Sequence, residues 1–220
     1  MPRICVAIQA TTMEQTIESI LKSGLADLIE IRLDYRTEPL SLSSIREATD
    51  KTLIATNRRR DQGGKAVESE SKKIQLLFEA VEAGFDYVDI ASTTESLEET
   101  HNKFVDKDVK TIISYHDFKN PLNMETLEEK HLELSRNGCD LIKLVGWTTC
   151  YLDNLPYLEY NNAYPGNISF GMGEHGIISR ILAPLSGTAY TYASLDPGSE
   201  LAAGQIPLQL LWETYRSLRL

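Results

Sequence analysis

A lysine inside an apolar run is the first residue here whose type and placing could do chemistry. Lys143 lies in Asp140-Leu141-Ile142-Lys143-Leu144-Val145, which reads as a short buried strand. Burial disfavours the ammonium form, so a desolvated lysine is more often the free amine that attacks a carbonyl. The preceding apolar run, Val109-Lys110-Thr111-Ile112-Ile113-Ser114, leads into Tyr115-His116-Asp117-Phe118. A histidine at that strand end can move the protons that carbonyl chemistry needs. Together Lys143 and His116 suggest Schiff-base chemistry with a histidine acid/base.

The elements that must position this pair are short apolar runs alternating with amphipathic stretches. The runs expected as strands are Ile4–Ile8, Leu28–Leu33, Thr52–Thr56, Tyr87–Ala91, Val109–Ser114, Leu141–Val145, Ile168–Gly171 and Ala189–Ala193. Helices are expected near Thr12–Ser23, Leu42–Ala48, Glu70–Gly84, Leu97–Phe104, Met124–Asn137, Tyr151–Tyr160, His175–Ala183 and Ile206–Leu218. In the third, Ile74, Leu77, Phe78 and Val81 recur at the spacing of one helix face. Gly24, Gly84 and Gly138 suit left-handed C-caps before the next strand. Eight β–α units in series favour an α/β fold, a single-domain (β/α)₈ TIM barrel over residues 1–220, with an open doubly wound sheet as the alternative. No Gly-x-Gly-x-x-Gly follows the first strand, which removes the main dinucleotide signal.

Bulk properties bound the partners. At 220 residues the chain is long enough for one large core, and a net charge of −10 argues against a nucleic-acid-binding face. No run of apolar residues reaches membrane-spanning length and no signal-peptide pattern opens the chain, so a cytoplasmic protein without a membrane partner is expected. Cys5, Cys139 and Cys150 show no CxxC spacing, so neither a zinc site nor a disulfide scaffold is expected.

In a barrel the C-terminal ends of the strands converge on one mouth. Those ends are polar here: Glu30 and Arg32, then Asp34; Arg58, then Arg59 and Arg60; His116; Lys143; Met172 leading to Arg180; and Gln205. Each has a plain reading. Glu30 and Arg32 suit an interior ion pair, Arg59 and Arg60 a solvated charge run, His116 a satisfied core histidine. Lys143 could snorkel to solvent, and Arg180 could pair with a surface carboxylate. One anionic carbonyl substrate accounts for the set together, whereas the plain readings must all hold separately. His101, His131 and His175 are expected at the surface, and no metal-ligand cluster, P-loop or nucleophile elbow is found.

These residues carry a resemblance. Glu30-Ile31-Arg32-Leu33-Asp34, Thr56-Asn57-Arg58 with Gly63-Gly64, Ser114-Tyr115-His116-Asp117-Phe118 and Asp140-Leu141-Ile142-Lys143 stand in order, followed by Met172-Gly173, Gly176-Ile177-Ile178-Ser179-Arg180 and Ala203-Gly204-Gln205-Ile206. Nearly end to end, the chain resembles type I 3-dehydroquinate dehydratase, the Schiff-base hydro-lyase of the shikimate pathway, in aromatic amino-acid biosynthesis. The resemblance implies a (β/α)₈ barrel, here without room for the N-terminal hairpin of longer members. It implies that Lys143 forms an imine with 3-dehydroquinate and that His116 moves protons. Arg180 then binds the substrate carboxylate with Gln205 in support, Glu30, Arg32 and Arg58 hold ring hydroxyls, and Met172 packs on the ring. No metal or organic cofactor is implied; a homodimer is.

Three positions depart from the family pattern. Gln62 stands where a glutamate usually partners the histidine, Ala91 where a second carboxylate is usual, and Leu201 where a loop serine is usual. Asp117 is a candidate substitute carboxylate, and Ser199 a candidate substitute hydroxyl. The other readings are a different Schiff-base lyase or aldolase acting on an anionic keto compound, and a barrel that binds such ligands without catalysis.

Overall fold

The computed structural model describes residues 1–220. Nine parallel strands form one curled sheet: β1 (Ile4–Gln9), β2 (Leu28–Arg32), β3 (Thr52–Thr56), β4 (Tyr87–Ala91), β5 (Lys110–Asp117), β6 (Leu141–Trp147), β7 (Ile168–Met172), β8 (Thr191–Ser194) and β9 (Ile206–Pro207). Helices α1 (Met13–Lys22), α2 (Leu42–Glu47), α3 (Glu70–Glu82), α4 (Leu97–Val105), α5 (Met124–Ser135), α6 (Leu155–Ala163), α7 (Ile177–Ser186) and α8 (Leu208–Leu218) follow the first eight strands in turn, with β9 placed just before α8. The expected α/β barrel class is borne out, and β9 is the one unforeseen strand.

The hydrogen-bonded order is β7-β6-β5-β4-β3-β2-β1-β8-β9, so no backbone ladder joins β7 to β8. The seam is crossed instead by the Ala189 N–H, which donates to the Asn167 carbonyl at 3.0 Å. Higher up, the Phe170 and Tyr192 rings meet edge to face at 5.9 Å.

Both faces of the strands are buried, which is why they read as near-continuous apolar runs. Outward residues such as Val6, Ile29, Ile31, Leu53, Val88 and Ile90 pack under the helices in the main core. Inward residues Cys5, Ala7, Leu28, Ile54, Ile112, Ile168, Phe170 and Tyr190 fill the interior. That filling forms a solid plug, above which the polar strand ends open.

The floor is tied by carboxylates and an amide just before the strands. Asp27 accepts from the Ile4 N–H at 2.8 Å, Asp86 from Leu53 at 2.8 Å, Asp140 from Thr111 at 2.8 Å and Asn167 from Ile142 at 2.9 Å. Each satisfies a strand-start donor that the ladder leaves free. Gly84 and Gly138 are left-handed, at φ +89° and +75°. Gly24 is not among the left-handed residues, because α1 already ends where the Ser23 N–H closes on the Ile20 carbonyl.

Candidate active site

Eight of the residues singled out at the strand ends line one cavity at the C-terminal mouth: Glu30, Arg32, Arg58, His116, Lys143, Met172, Arg180 and Gln205; Asp34, Arg59 and Arg60 do not. Gln62, Phe118, Phe170, Tyr192 and Ala202 share its wall. Strand alternation delivers them, since residues two apart on a strand face the same side. Glu30 and Arg32 on β2, Ser114 and His116 on β5, and Lys143 and Val145 on β6 are such pairs.

Lys143 is 4% exposed. Its Nζ lies 3.4 Å from Asp89 Oδ2, 3.9 Å from Glu30 Oε1 and 4.0 Å from the centre of the Tyr192 ring. Burial is the largest influence on this ammonium and pulls its pKa down. Glu30 and Asp89 oppose that pull and Arg58 adds to it, leaving the net direction downward. The lysine does not snorkel. Its amine sits in the barrel mouth with two carboxylates to hold a positive charge there. Glu30 is oriented by the Thr56 hydroxyl, which donates to Oε1 at 2.8 Å.

Arg58 is the hub beside it. One guanidinium nitrogen donates to Asp89 Oδ1 at 2.7 Å and to Ser114 Oγ at 3.0 Å, while Ser114 itself donates to Asp89 at 2.6 Å. The other nitrogen is 3.0 Å from His116 Nε2. His116 stacks on Phe118 with ring centres 5.8 Å apart. Gly64 makes this arrangement possible, because a Cβ there would lie 1.9 Å from the Arg58 carbonyl oxygen. Desolvation and then the Arg58 and Lys143 charges lower the His116 pKa well below the ordinary histidine value, against a weaker pull from Asp89.

Arg32 makes a bidentate pair with Asp34, both bonds 2.8 Å, and donates to the Gly63 carbonyl. Its partner is thus Asp34, where the plain reading offered Glu30. Arg180 differs from the other two arginines. It is 1% exposed, has no carboxylate partner, leaves Nε without an acceptor and makes only a 3.4 Å bond to the Ala203 carbonyl. Its guanidinium lies over the Phe170 ring at 4.5 Å. Burial pushes its pKa down to about 9, so it is still cationic at neutral pH. An unpaired buried cation lining a cavity is prepared for an anion from outside.

Gln205 accepts from the Leu201 N–H at 2.6 Å and the Ala202 N–H at 3.3 Å. It therefore shapes the loop over the cavity. That loop rests on the end of β7: the Gly173 N–H donates to Ala203, and Gly204 (φ +82°) lies where a Cβ would meet the Gly173 carbonyl at 2.3 Å.

Several expectations need correction. Asp117 does not serve His116; its Oδ1 accepts from the Lys119 and Asn120 N–H groups, closing the turn after β5. Ser199 is tied to Asp196 and lines a separate groove beside α1. His101 is 2% exposed and bonded to Thr111 Oγ1, on the hidden face of α4, where a surface position was expected. Gln62 is buried with neither amide atom partnered, and makes no bond to His116. Asp89, Ser114 and Tyr192 were not selected from the sequence as site residues. Asp89 carried the same signal as Lys143, a charge within an apolar strand.

With this geometry in view, the relatives are informative. The model of the type I 3-dehydroquinase family matches residues 4–220. The 3-dehydroquinate dehydratase of Dehalococcoides mccartyi strain BAV1 is 32% identical over 219 residues, covering 99% of this chain and 96% of its own. That of Methanococcus vannielii is 34% identical over 219 residues, covering 96% of this chain and 97% of its own. Among solved structures, the Clostridium difficile type I enzyme carrying covalently modified comenic acid is similar at a TM-score of 0.85 and 27% identity, over 99% of this chain and 92% of that one. The Aquifex aeolicus enzyme is similar at 0.79 and 27%, over 99% and 100%. The barrel, the order of its motifs and these relatives agree: the chain belongs to the type I 3-dehydroquinase family.

Proposed function

We propose that this chain dehydrates 3-dehydroquinate to 3-dehydroshikimate, with Lys143 as the imine-forming amine and His116 as the proton carrier. The observation that carries the assignment is a buried lysine between two carboxylates, within one cavity that also holds an unpaired buried arginine. The amine of Lys143 adds to the C3 ketone and water leaves, giving an imine protonated on nitrogen. Glu30 and Asp89 stabilise that cation. His116 takes a proton from C2; the C2–H electron pair becomes a C2–C3 double bond and the imine π pair moves onto nitrogen, giving an enamine. The enamine then expels the C1 hydroxyl as water, with the proton supplied by His116, and hydrolysis of the conjugated imine frees Lys143.

Arg180 is assigned to the substrate carboxylate, since its guanidinium has no carboxylate partner and makes only one long bond, to the Ala203 carbonyl. Gln205 supports it by holding the Leu201–Ala202 backbone of the covering loop. Glu30, Arg32 and Arg58 are assigned to ring hydroxyls, and Met172 to the ring face. A keto-acid aldolase on the same barrel would use the same lysine, but it would not need this many groups for hydroxyls.

Two finer statements belong with this reading. No helix is long and apolar enough to cross a membrane, and we place the enzyme in the cytoplasm. We also propose a homodimer through α7, whose Ile178, Leu182 and Leu185 are exposed along one face, with Tyr151 and Leu152 exposed on the turn leading into α6 and Leu155 exposed at its first position. The only charged residue of α7 is Arg180, which faces inward. Two copies of a chain with net charge −10 can meet on this face without opposing like charges.

The lysine assignment is tested by sodium borohydride reduction in the presence of 3-dehydroquinate. The expected product is one covalent mass addition on the peptide containing Lys143, and Lys143→Ala should lose both adduct and turnover while keeping its circular dichroism. An adduct on another peptide, or turnover by Lys143→Ala, sinks the assignment.

A further inference from the structure

Resting on the assignment of Lys143 as the imine-forming amine, we propose that Tyr192 is a further catalytic residue. The face of its ring holds the positive charge on Lys143 Nζ, first in the ammonium and then in the protonated imine. Nζ lies over this ring, 4.0 Å from its centre. An aromatic face is the negative side of the ring quadrupole, and it attracts a cation most strongly where water is excluded. Both partners meet that condition, with Lys143 4% and Tyr192 3% exposed. Lys130 and Lys110 also approach rings, Tyr115 at 5.0 Å and Tyr87 at 5.7 Å, but farther off and in contact with solvent.

The attraction comes from the ring and not from a phenolate. Burial raises the Tyr192 pKa well above the ordinary tyrosine value, so the phenol is neutral at neutral pH. Its hydroxyl makes no hydrogen bond to Lys143. The ring is fixed in this pose, packed edge to face with Phe170 at 5.9 Å and with Tyr190 at 5.4 Å. Phe170 in turn lies under the Arg180 guanidinium at 4.5 Å. The aromatic pair across the β7–β8 seam thus supports the amine on one side and the anion-binding cation on the other.

Imine chemistry gives the ring a task that the carboxylates cannot complete. The ammonium has three N–H donors; Asp89 accepts at 3.4 Å and Glu30 stands 3.9 Å away. A protonated imine keeps a single N–H, so no more than one carboxylate can accept from it. The ring needs no N–H, because it responds to the charge itself. It holds the ammonium too, so its benefit to catalysis appears where the amine starts uncharged, above the Lys143 midpoint. There the nitrogen passes from neutral to cationic as the imine forms, and the ring favours that change. The charge vanishes in the enamine and returns as the C1 hydroxyl departs, which the ring favours as well.

The test replaces Tyr192 with phenylalanine and with analogues of it bearing one, two and three ring fluorines, by amber suppression in the full-length protein. Fluorine drains the ring face of electron density and barely alters its shape. The other groups acting on Nζ are Cys5 on β1, Glu30 on β2, Arg58 beyond β3 and Asp89 on β4, with His116 facing it from β5; the series leaves all of them in place. With ¹³C-labelled lysine, the Lys143 signal, identified by its loss in Lys143→Ala, is titrated by NMR. Its midpoint should fall with each fluorine, by about one unit between Tyr192→Phe and the trifluoro protein, the scale of a desolvated cation–π contact. At a pH above every midpoint, kcat/KM should fall in the same order. In the wild-type chain the Lys143 Hε protons should stand upfield of those of solvent-facing lysines, shifted by the ring current; this arm needs no variant at position 192 to fold. Hε shifts like those of solvent-facing lysines, or a midpoint unchanged along the fluorine series, overturn the proposal. Borohydride labelling reports separately on the imine. An adduct on Lys143 beside a flat fluorine series removes the Tyr192 role alone, whereas no adduct on Lys143 removes the imine assignment and this role with it.

Discussion

At the scale of single residues, the site is a contest between buried charges and their partners, and Arg180 shows who loses. Arg32 has Asp34 and Arg58 has Asp89, whereas Arg180 has only a carbonyl and an aromatic face. A buried guanidinium without a counter-ion costs stability that its ligand alone can return. Arg180→Met, similar in length and apolar, is therefore expected to stabilise the free protein by about 1–3 kcal/mol while weakening turnover. KM should rise by about 10²-fold or more, since a charge-assisted bidentate pair is lost. A lower melting temperature together with an unchanged KM would show that Arg180 is a structural residue. Lys143, His116 and Arg180 were legible in the sequence because each interrupts an apolar pattern. Which partner each charge chooses was not legible. Arg58 to Asp89 is decided by how β3 and β4 lie side by side, Arg32 to Asp34 by the turn directly after β2, and Asp117 closes the turn after β5 on its own backbone.

At the scale of elements, strands and helices were readable by their period, but their edges and outer faces were not. The β5 and β6 ladders run on to Asp117 and Trp147, beyond the apolar runs, because their polar ends continue to pair across the barrel mouth. The Asp or Asn before β2, β4, β6 and β7 stands close behind a glycine in the sequence, and its strand-start bond emerges only once the parallel pairing is known. Helix α7 was expected from its composition, yet with apolar residues on every side its solvent face did not stand out. The structure sets Ser179, Arg180 and Ala183 inward and leaves Ile178, Leu182 and Leu185 out. If that face joins two copies, Leu182→Glu places like charges against each other across a two-fold axis. The expected outcome is a halved mass by light scattering at micromolar protein, with the circular dichroism spectrum retained. A wild-type chain that is monomeric under those conditions removes the dimer.

At the scale of the whole molecule, a chain of net charge −10 builds one cationic cavity, which Asp89 makes tolerable. Asp89 is 4% exposed and neutralises Arg58 and Lys143 together. Burial by itself raises the pKa of a carboxyl; here the Arg58 and Lys143 charges and the Ser114 hydroxyl outweigh it and hold Asp89 well below the usual carboxylate range. The sign of the pH dependence follows. The unfolded chain titrates this group near about 3.9, so between that pH and the folded value the unfolded state binds more protons. The stabilisation from Asp89 is thus complete above about pH 4 and is lost as the pH falls through the folded value. Asp89→Asn removes the counter-charge of two buried cations, leaving Glu30 at 3.9 Å as the remaining anion near Lys143. A loss of about 3 kcal/mol is expected at pH 7. Below pH 4 the wild type loses its Asp89 contribution and the variant has none to lose, so the two urea midpoints should converge there. Midpoints that stay parallel from pH 7 to pH 3 would mean that the Arg58–Asp89–Lys143 cluster contributes no charge-dependent stability.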